Sequence, residues 1–231
     1  MAQRLIDLTQ PIFEGMVLWT GHPPTKITVH ATHESTAPTL TPPYSFTAET
    51  IQMTTHAGTH VDSISHIDPR SGAPSIEQIP LEWFYTEAIC IDLSHLPPRT
   101  EYSVADIEAA LAAHNLSIKP GDTVLIHSGH YARTRDTPAY ASEYSGLSRE
   151  AAEFIYGAGA INIGAEAPSV DVAGTTLYPA HLVCREMQRL NTENLADLSE
   201  IVGKRFRYLG LPLPIRNGTG SPIRAVAVLE E

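Results

Sequence analysis

Apolar and polar positions in the first half of the chain follow the pattern of short strands. Segments 4–8, 26–32 and 45–55 are rich in β-branched residues, and in the last of these Phe46, Ala48, Thr50 and Gln52 fall on one face. Two apolar runs, EAICIDL at 87–93 and TVLIH at 123–127, predict buried strands, the second following the turn Pro120-Gly121-Asp122. Helical spacing is rarer. Ser103 and Asp106 form a capping-box signature, and Val104, Ile107, Ala110 and Leu111 then predict a helix up to Asn115. Ser148 predicts the cap of a second helix over 149–156, ending at Gly157 or Gly159, and the run AINIGA at 160–165 then reads as a buried strand. A short helix over 179–190 and strands over 206–211 and 225–229 complete a mixed, strand-rich α/β fold.

Composition narrows the function. The 231 residues carry 15 basic and 26 acidic side chains, a formal charge of −11, which repels phosphate backbones and anionic lipid. Neither nucleic acid nor a membrane is expected as a partner; a small molecule is. A hydrophobic content of 42% with 18% charged residues excludes a disordered acidic chain and a long coiled coil. The 18 prolines and 15 glycines punctuate the whole length, there is no internal repeat, and the longest biased segment is a Pro/Thr stretch at 36–43, so residues 1–231 read as a single domain. No leader-like apolar segment opens the chain and no apolar stretch approaches the roughly 20 residues of a membrane span, so the cytoplasm is the expected compartment. Cys90 and Cys184 lie in apolar-leaning contexts and read as reduced core thiols, with one disulfide between them left open.

Candidate chemistry is concentrated in histidine. Of eleven, three lie with an aspartate in one short stretch: His56, His60, Asp62 and His66. All four positions share one parity, which an extended chain gathers on one face. On a helix His56 and His60 would align but Asp62 would point about 200° further round. Gly58 shares the parity, leaves a gap on that face and permits unusual backbone angles. A lone histidine is usually a solvated or core residue; two imidazoles and a carboxylate at HxxxHxD, with a third His following, are a ligand set for a divalent cation with positions left open for water or substrate. His127 and His130 divide evenly between lining a pocket and ending a strand, whereas His22, His30, His33, His95 and His114 read as solvated. Trp83, Phe84 and Tyr85 read as packing aromatics, and Arg224 as an ion-pairing residue of the core or an interface. No G-x-S-x-G surrounds Ser128 or Ser169, and neither G-x-G-x-x-G nor a Walker A sequence occurs, which excludes serine hydrolases of that type and dedicated nucleotide sites.

The segment HAGTHVDSISH resembles the HxGTHxDxxxH signature of the metal-dependent cyclase superfamily, whose best-known members are the bacterial kynurenine formamidases and to which isatin hydrolases also belong. The resemblance runs over nearly the whole chain. LIDLTQPIFEGMVLWTGHPP is similar to the family's first strand and Trp-containing loop, and IGAEAPSVD at 163–171 to its G-x-D-x-P-S-x-D segment. His181 and Glu193 stand where its later His and Glu do, and SPIRA at 221–225 matches its SPxRA. The resemblance implies a cyclase-like β/β/α fold and a divalent metal, zinc before manganese, with one or two ions per subunit. It implies that His56, His60 and Asp62 hold a first ion, that Asp62 bridges to a second completed by His181 and Glu193, that His66 moves protons, and that Trp19 walls the substrate pocket. A homo-oligomer is implied as well. Three departures bear on the pocket: Ser63-Ile64 where Ala-Pro is common, Glu166 for an aspartate, and His22-Pro23 where the loop usually has an aspartate.

These features predict a metal-dependent hydrolase that cleaves the C–N amide bond of a small aromatic substrate, an aryl formamide such as N-formylkynurenine, with His66 as general acid and base. The competing substrate is a cyclic amide of the isatin type. A metal-containing binder without catalysis is the competing class; a closed structural site needs four protein ligands on one ion, typically with more cysteine than this chain has.

Overall fold

The computed structural model describes residues 2–40 and 44–230; positions 41–43 of the Pro/Thr stretch lie outside them. The strands are β1 (Gln3–Asp7), β2 (Lys26–Ala31), β3 (Ala48–Gln52), β4 (His60–Asp62), β5 (Tyr85–Asp92), β6 (Glu101–Tyr102), β7 (Thr123–His127), β8 (Gly146–Leu147), β9 (Asn162–Ala165), β10 (Leu190–Glu193), β11 (Arg205–Leu209), β12 (Gly220–Pro222) and β13 (Val226–Glu230). The helices are α1 (His33–Thr36), α2 (Val104–Ala113), α3 (His130–Thr134), α4 (Arg149–Gly157) and α5 (Pro179–Met187). Nine strands form one sheet in the order β1-β13-β11-β5-β7-β9-β10-β4-β12, and β2 and β3 pair separately as an exposed ribbon. Only β5, β7, β9 and β10 run parallel to their neighbours within the sheet; the flanks are antiparallel.

Both faces of the parallel centre are covered, which is why its strands read as continuous apolar runs. Ile89, Ile91, Val124, Ile126 and Ile163 pack on one face against Ile107 of α2, Ile155 and Tyr156 of α4 and Val183 of α5. Ala88, Cys90 and Leu125 face the other way, into a second core with Leu8, Val61, Ile64, Phe84 and Leu198. Cys184 belongs to the first core and Cys90 to the second, and both are free thiols. Among the described residues no helix is long and apolar enough to cross a membrane.

The helix starts follow their caps: Ser103 accepts the Asp106 N–H in a full capping box, and Ser148 accepts the Ala151 N–H. The helix predicted over 179–190 ends sooner, at Met187, because Gln188 turns into the left-handed region (φ 54°) and sends the chain into β10. Segment 45–55 contributes only Ala48–Gln52, and its residues are largely exposed rather than facing a core. Arg224 is at the surface, ion-paired with Asp7 at 2.5 Å, and so is neither buried nor held in the core.

Candidate metal centre

β4 is three residues long, and its two neighbours determine what it faces. In the antiparallel register with β10, His60 stands opposite Glu193 and Asp62 opposite Asn191. The other two members of the motif reach the same place by turns rather than along one extended strand. His56 precedes a turn in which Gly58 takes φ 63°, and His66 closes a 3₁₀ turn over Ile64–His66. The shared parity therefore describes His60 and Asp62 literally, and the chain folds back on each side to return His56 and His66. His181 comes from the first turn of α5.

The side chains meet closely. Asp62 Oδ1 lies 2.7 Å from His56 Nδ1 and 3.3 Å from His60 Nε2, whereas Oδ2 faces His181 Nε2 at 3.6 Å. Glu193 places its oxygens 3.3 Å from His181 Nε2 and 3.6 Å from His60 Nε2. The two carboxylate oxygens of Asp62 thus look toward different partners, His56 and His60 on one side and His181 on the other. The His66 ring lies 4.1 Å from that of His56 between centroids, tilted by 33°. His127 and His130 are elsewhere: His127 Nδ1 bonds Glu166 at 3.1 Å, and the buried His130 ring bonds the Tyr140 carbonyl.

Other groups aim the donors. The Gly58 carbonyl, 2.8 Å from His60 Nδ1, can only accept, so Nδ1 carries the proton and the Nε2 lone pair points at the two carboxylates. Asp171 accepts from His181 Nδ1 at 2.5 Å and from the Ala180 N–H at 2.6 Å, holding both the ring and the start of α5. This is how metal-binding imidazoles are oriented. His60 Nε2 and Asp62 Oδ2 are buried with no hydrogen-bond partner, an arrangement that costs about 1–3 kcal/mol per group unless something satisfies it. A lone pair aimed at carboxylate oxygens is satisfied by a cation, and the donor set of imidazoles and carboxylates suits a divalent one.

Proton affinities show the same excess of negative charge. Burial, and then the Asp62 charge, push Glu193 up to about 8. Burial works to lower His181, but its bond to Asp171, followed by that to Asp62, holds it well above the usual imidazole value. Burial works to raise Asp62, and the facing imidazoles, His66 foremost, hold it well below the usual carboxylate range. A divalent cation bound among these groups would compete with protons for Glu193 and His181. For His66, loss of surrounding water is the largest cause of a pKa lowered to about 4; Asp62 opposes it, and His56, His181 and His60 add to it.

A cavity of about 360 Å³ opens over this cluster, lined by Trp19 and His22 from the 11–25 loop, by Ile67 and Pro168, and by Leu177, Tyr178 and Leu182 around the start of α5. Sequence reasoning missed Tyr178, which no motif marks, and misread His22. Rather than being solvated, His22 is half-buried 5.4 Å from the Trp19 ring and 6.3 Å from that of His56. Its position as a departure in the loop was the available signal. The other departures avoid the cavity. Ile64 packs in the core, Ser63 bonds the Thr219 carbonyl, and Glu166 accepts from Ser128 and Leu198.

Residues 6–172 match the family described as "Putative cyclase". A kynurenine formamidase of Salinibacter ruber is 25% identical over 224 residues, spanning 96% of each chain. The fold matches an isatin hydrolase bound to the product analogue thioisatinate, with a TM-score of 0.88 and 20% identity, covering 99% of this chain and 93% of that one. Isatin hydrolase A from Labrenzia aggregata, bound to benzyl benzoate, gives 0.87 and 23%, with 99% and 94% covered.

Proposed function

Because the chain belongs to the putative cyclase family, we propose that it is a metal-dependent hydrolase of the C–N amide bond in a small aryl substrate, an aryl formamide of the N-formylkynurenine type. The reading is carried by one observation: unpartnered His60 Nε2 and Asp62 Oδ2 are buried in a cluster whose His56, His60, His66, His181 and Glu193 line a pocket walled by an indole. The names of the curated relatives support a formamide. We assign His56, His60 and Asp62 as the residues that would hold one divalent ion, and His181 and Glu193, sharing Asp62, as those that would hold a second. Zinc fits this balance of imidazole and carboxylate best and manganese next.

A divalent ion held there supplies Lewis acidity, polarising a carbonyl and lowering the pKa of a water toward ~7. The protein does the rest. Trp19 stacks on the aryl ring and turns the amide toward His66. His66 removes a proton from the attacking water and returns it to the departing nitrogen as the C–N bond breaks, leaving a carboxylic acid and an amine. Leu177 and Tyr178 give the pocket an apolar rim that the aryl ring can cover. We place the enzyme in the cytoplasm, in keeping with its two free thiols. We infer a homo-oligomer, since Val29 and Ile51 of the ribbon are each 55% exposed.

The test is turnover of N-formylkynurenine and of isatin by purified protein with added zinc or manganese. Formamide hydrolysis, abolished by chelator and reduced ~10²–10⁴-fold by His66→Ala with metal still bound, is the expected result. Preferential opening of isatin would transfer the reading to cyclic amides. Tightly held metal with no turnover of either would make the protein a binder.

A further inference from the structure

The metal cavity adjoins a second chamber of about 280 Å³, and Trp19, Ser169 and Tyr178 line both. The two differ in chemistry. Imidazoles, aliphatic side chains and the Glu193 carboxylate line the first, whereas Arg99, Ser142, Tyr144 and Thr175 line the second. Arg99 is the only cation in that lining. Among the described residues it makes no ion pair, and its guanidinium has one long hydrogen bond, 3.4 Å to the Ala173 carbonyl. Asp171 is the one acid there, and both its oxygens are turned away to Ala180 and His181. An incoming group therefore meets an unpaired positive charge on a residue that also reaches solvent, on a chain whose formal charge is −11.

The backbone holds this arrangement against its own preference. Arg99 (φ 62°) and Tyr178 (φ 47°) both lie in the left-handed region, which disfavours side-chain-bearing residues and tends to mark functional sites. Gly174 keeps room beside the guanidinium; a Cβ there would come within 3.3 Å of Arg99 Nη2. Thr175 Oγ1 accepts from the Leu177 N–H and retains its own proton to donate.

We propose that this chamber is a subsite for an anionic substituent of the substrate: a carboxylate on a short flexible tail, paired with Arg99, while the aryl amide lies against Trp19 over the metal ligands. Guanidinium is suited to this because its fork matches both carboxylate oxygens. The proposal rests on the aryl-amide reading and narrows it to substrates with two separated polar ends.

The test uses two matched formanilides, one with an alkyl carboxylate tail ortho to the formamide and one with the corresponding carboxamide. Their kcat/KM ratio should favour the carboxylate about tenfold or more, the scale of one charge-assisted hydrogen bond. Arg99→Gln should bring the ratio toward one, mainly through KM, and Arg99→Lys should restore part of it. A binding measurement separates this from turnover. In a Trp83→Phe background, Trp19 fluorescence is titrated with 3-benzoylpropionate and with its primary amide. Tighter binding of the carboxylate, lost in Arg99→Gln and weakened by salt, supports the subsite even if no formamide is hydrolysed, in which case only the catalytic reading fails. Equal binding of the two probes, or a carboxylate preference that survives Arg99→Gln, overturns the subsite whether or not the formanilides are turned over.

Discussion

Asp62 concentrates the chemistry of the site in one carboxylate. Its Oδ1 is within 3.3 Å of both His56 and His60, and its Oδ2 faces His181. Removing it should cost contact with all three of these imidazoles, whereas removing His181 or Glu193 leaves the contacts of Asp62 with His56 and His60 in place. Purified Asp62→Ala is therefore expected to retain less metal, by elemental analysis, than either His181→Ala or Glu193→Ala; equal content in all three would contradict a bridging role. The cluster of 56–66 was legible in the sequence from its residue types and close spacing, whereas His181 and Glu193 were expected only from the resemblance. The groups that aim these donors were not legible. The Gly58 carbonyl and the Asp171 carboxylate act through orientation, which spacing does not encode, and His22 enters the pocket only because its loop folds over Trp19.

At the scale of elements, β8 fixes the position of a donor it does not contain. The Leu147 N–H bonds the Val170 carbonyl at 2.8 Å, and the Ala173 N–H bonds the Tyr144 carbonyl at 3.1 Å, pressing 144–147 against 170–173. A Cβ on Gly146 would lie 2.0 Å from the Asp171 carbonyl carbon and 2.3 Å from the Val172 nitrogen, so the two backbones approach this closely only because residue 146 is glycine. Gly146→Ala must displace Asp171, and with it the hold on His181. Its expected effects are a loss of at least the ~1–3 kcal/mol typical of overpacking, read from urea unfolding, and a metal affinity weakened about 10–100-fold, read by competition with a chromogenic chelator. Unchanged values in both measurements would exclude this positioning role. Pattern reading succeeded for α2, α4, β5 and β7, where caps and apolar runs agree with the fold. It failed for β10, whose Asn191, Thr192 and Glu193 are all buried although polar. Their burial comes from hydrogen bonds and the site, so an apolar periodicity never forms there.

Across the whole molecule, the proposed ligands come from 56–66, from α5 and from β10, and these segments meet only when β4 is inserted between β10 and β12. An unfolded chain keeps the HxxxHxD run but loses His181 and Glu193 from its reach. Metal binding must then draw on folding, and the native state gains RT ln(1 + [L]/Kd), about 2.7 kcal/mol at a hundredfold excess over Kd. At roughly 2–4 °C per kcal/mol for a chain of this size, stripping the metal should lower Tm by about 5–10 °C, and adding it back should restore the loss. The same titration on Glu193→Gln, which removes a donor from the distant segment and leaves 56–66 untouched, should show a smaller shift. A melting curve indifferent to chelator, on protein shown by elemental analysis to have lost its metal, would mean that the motif binds on its own and that the fold does not assemble the site.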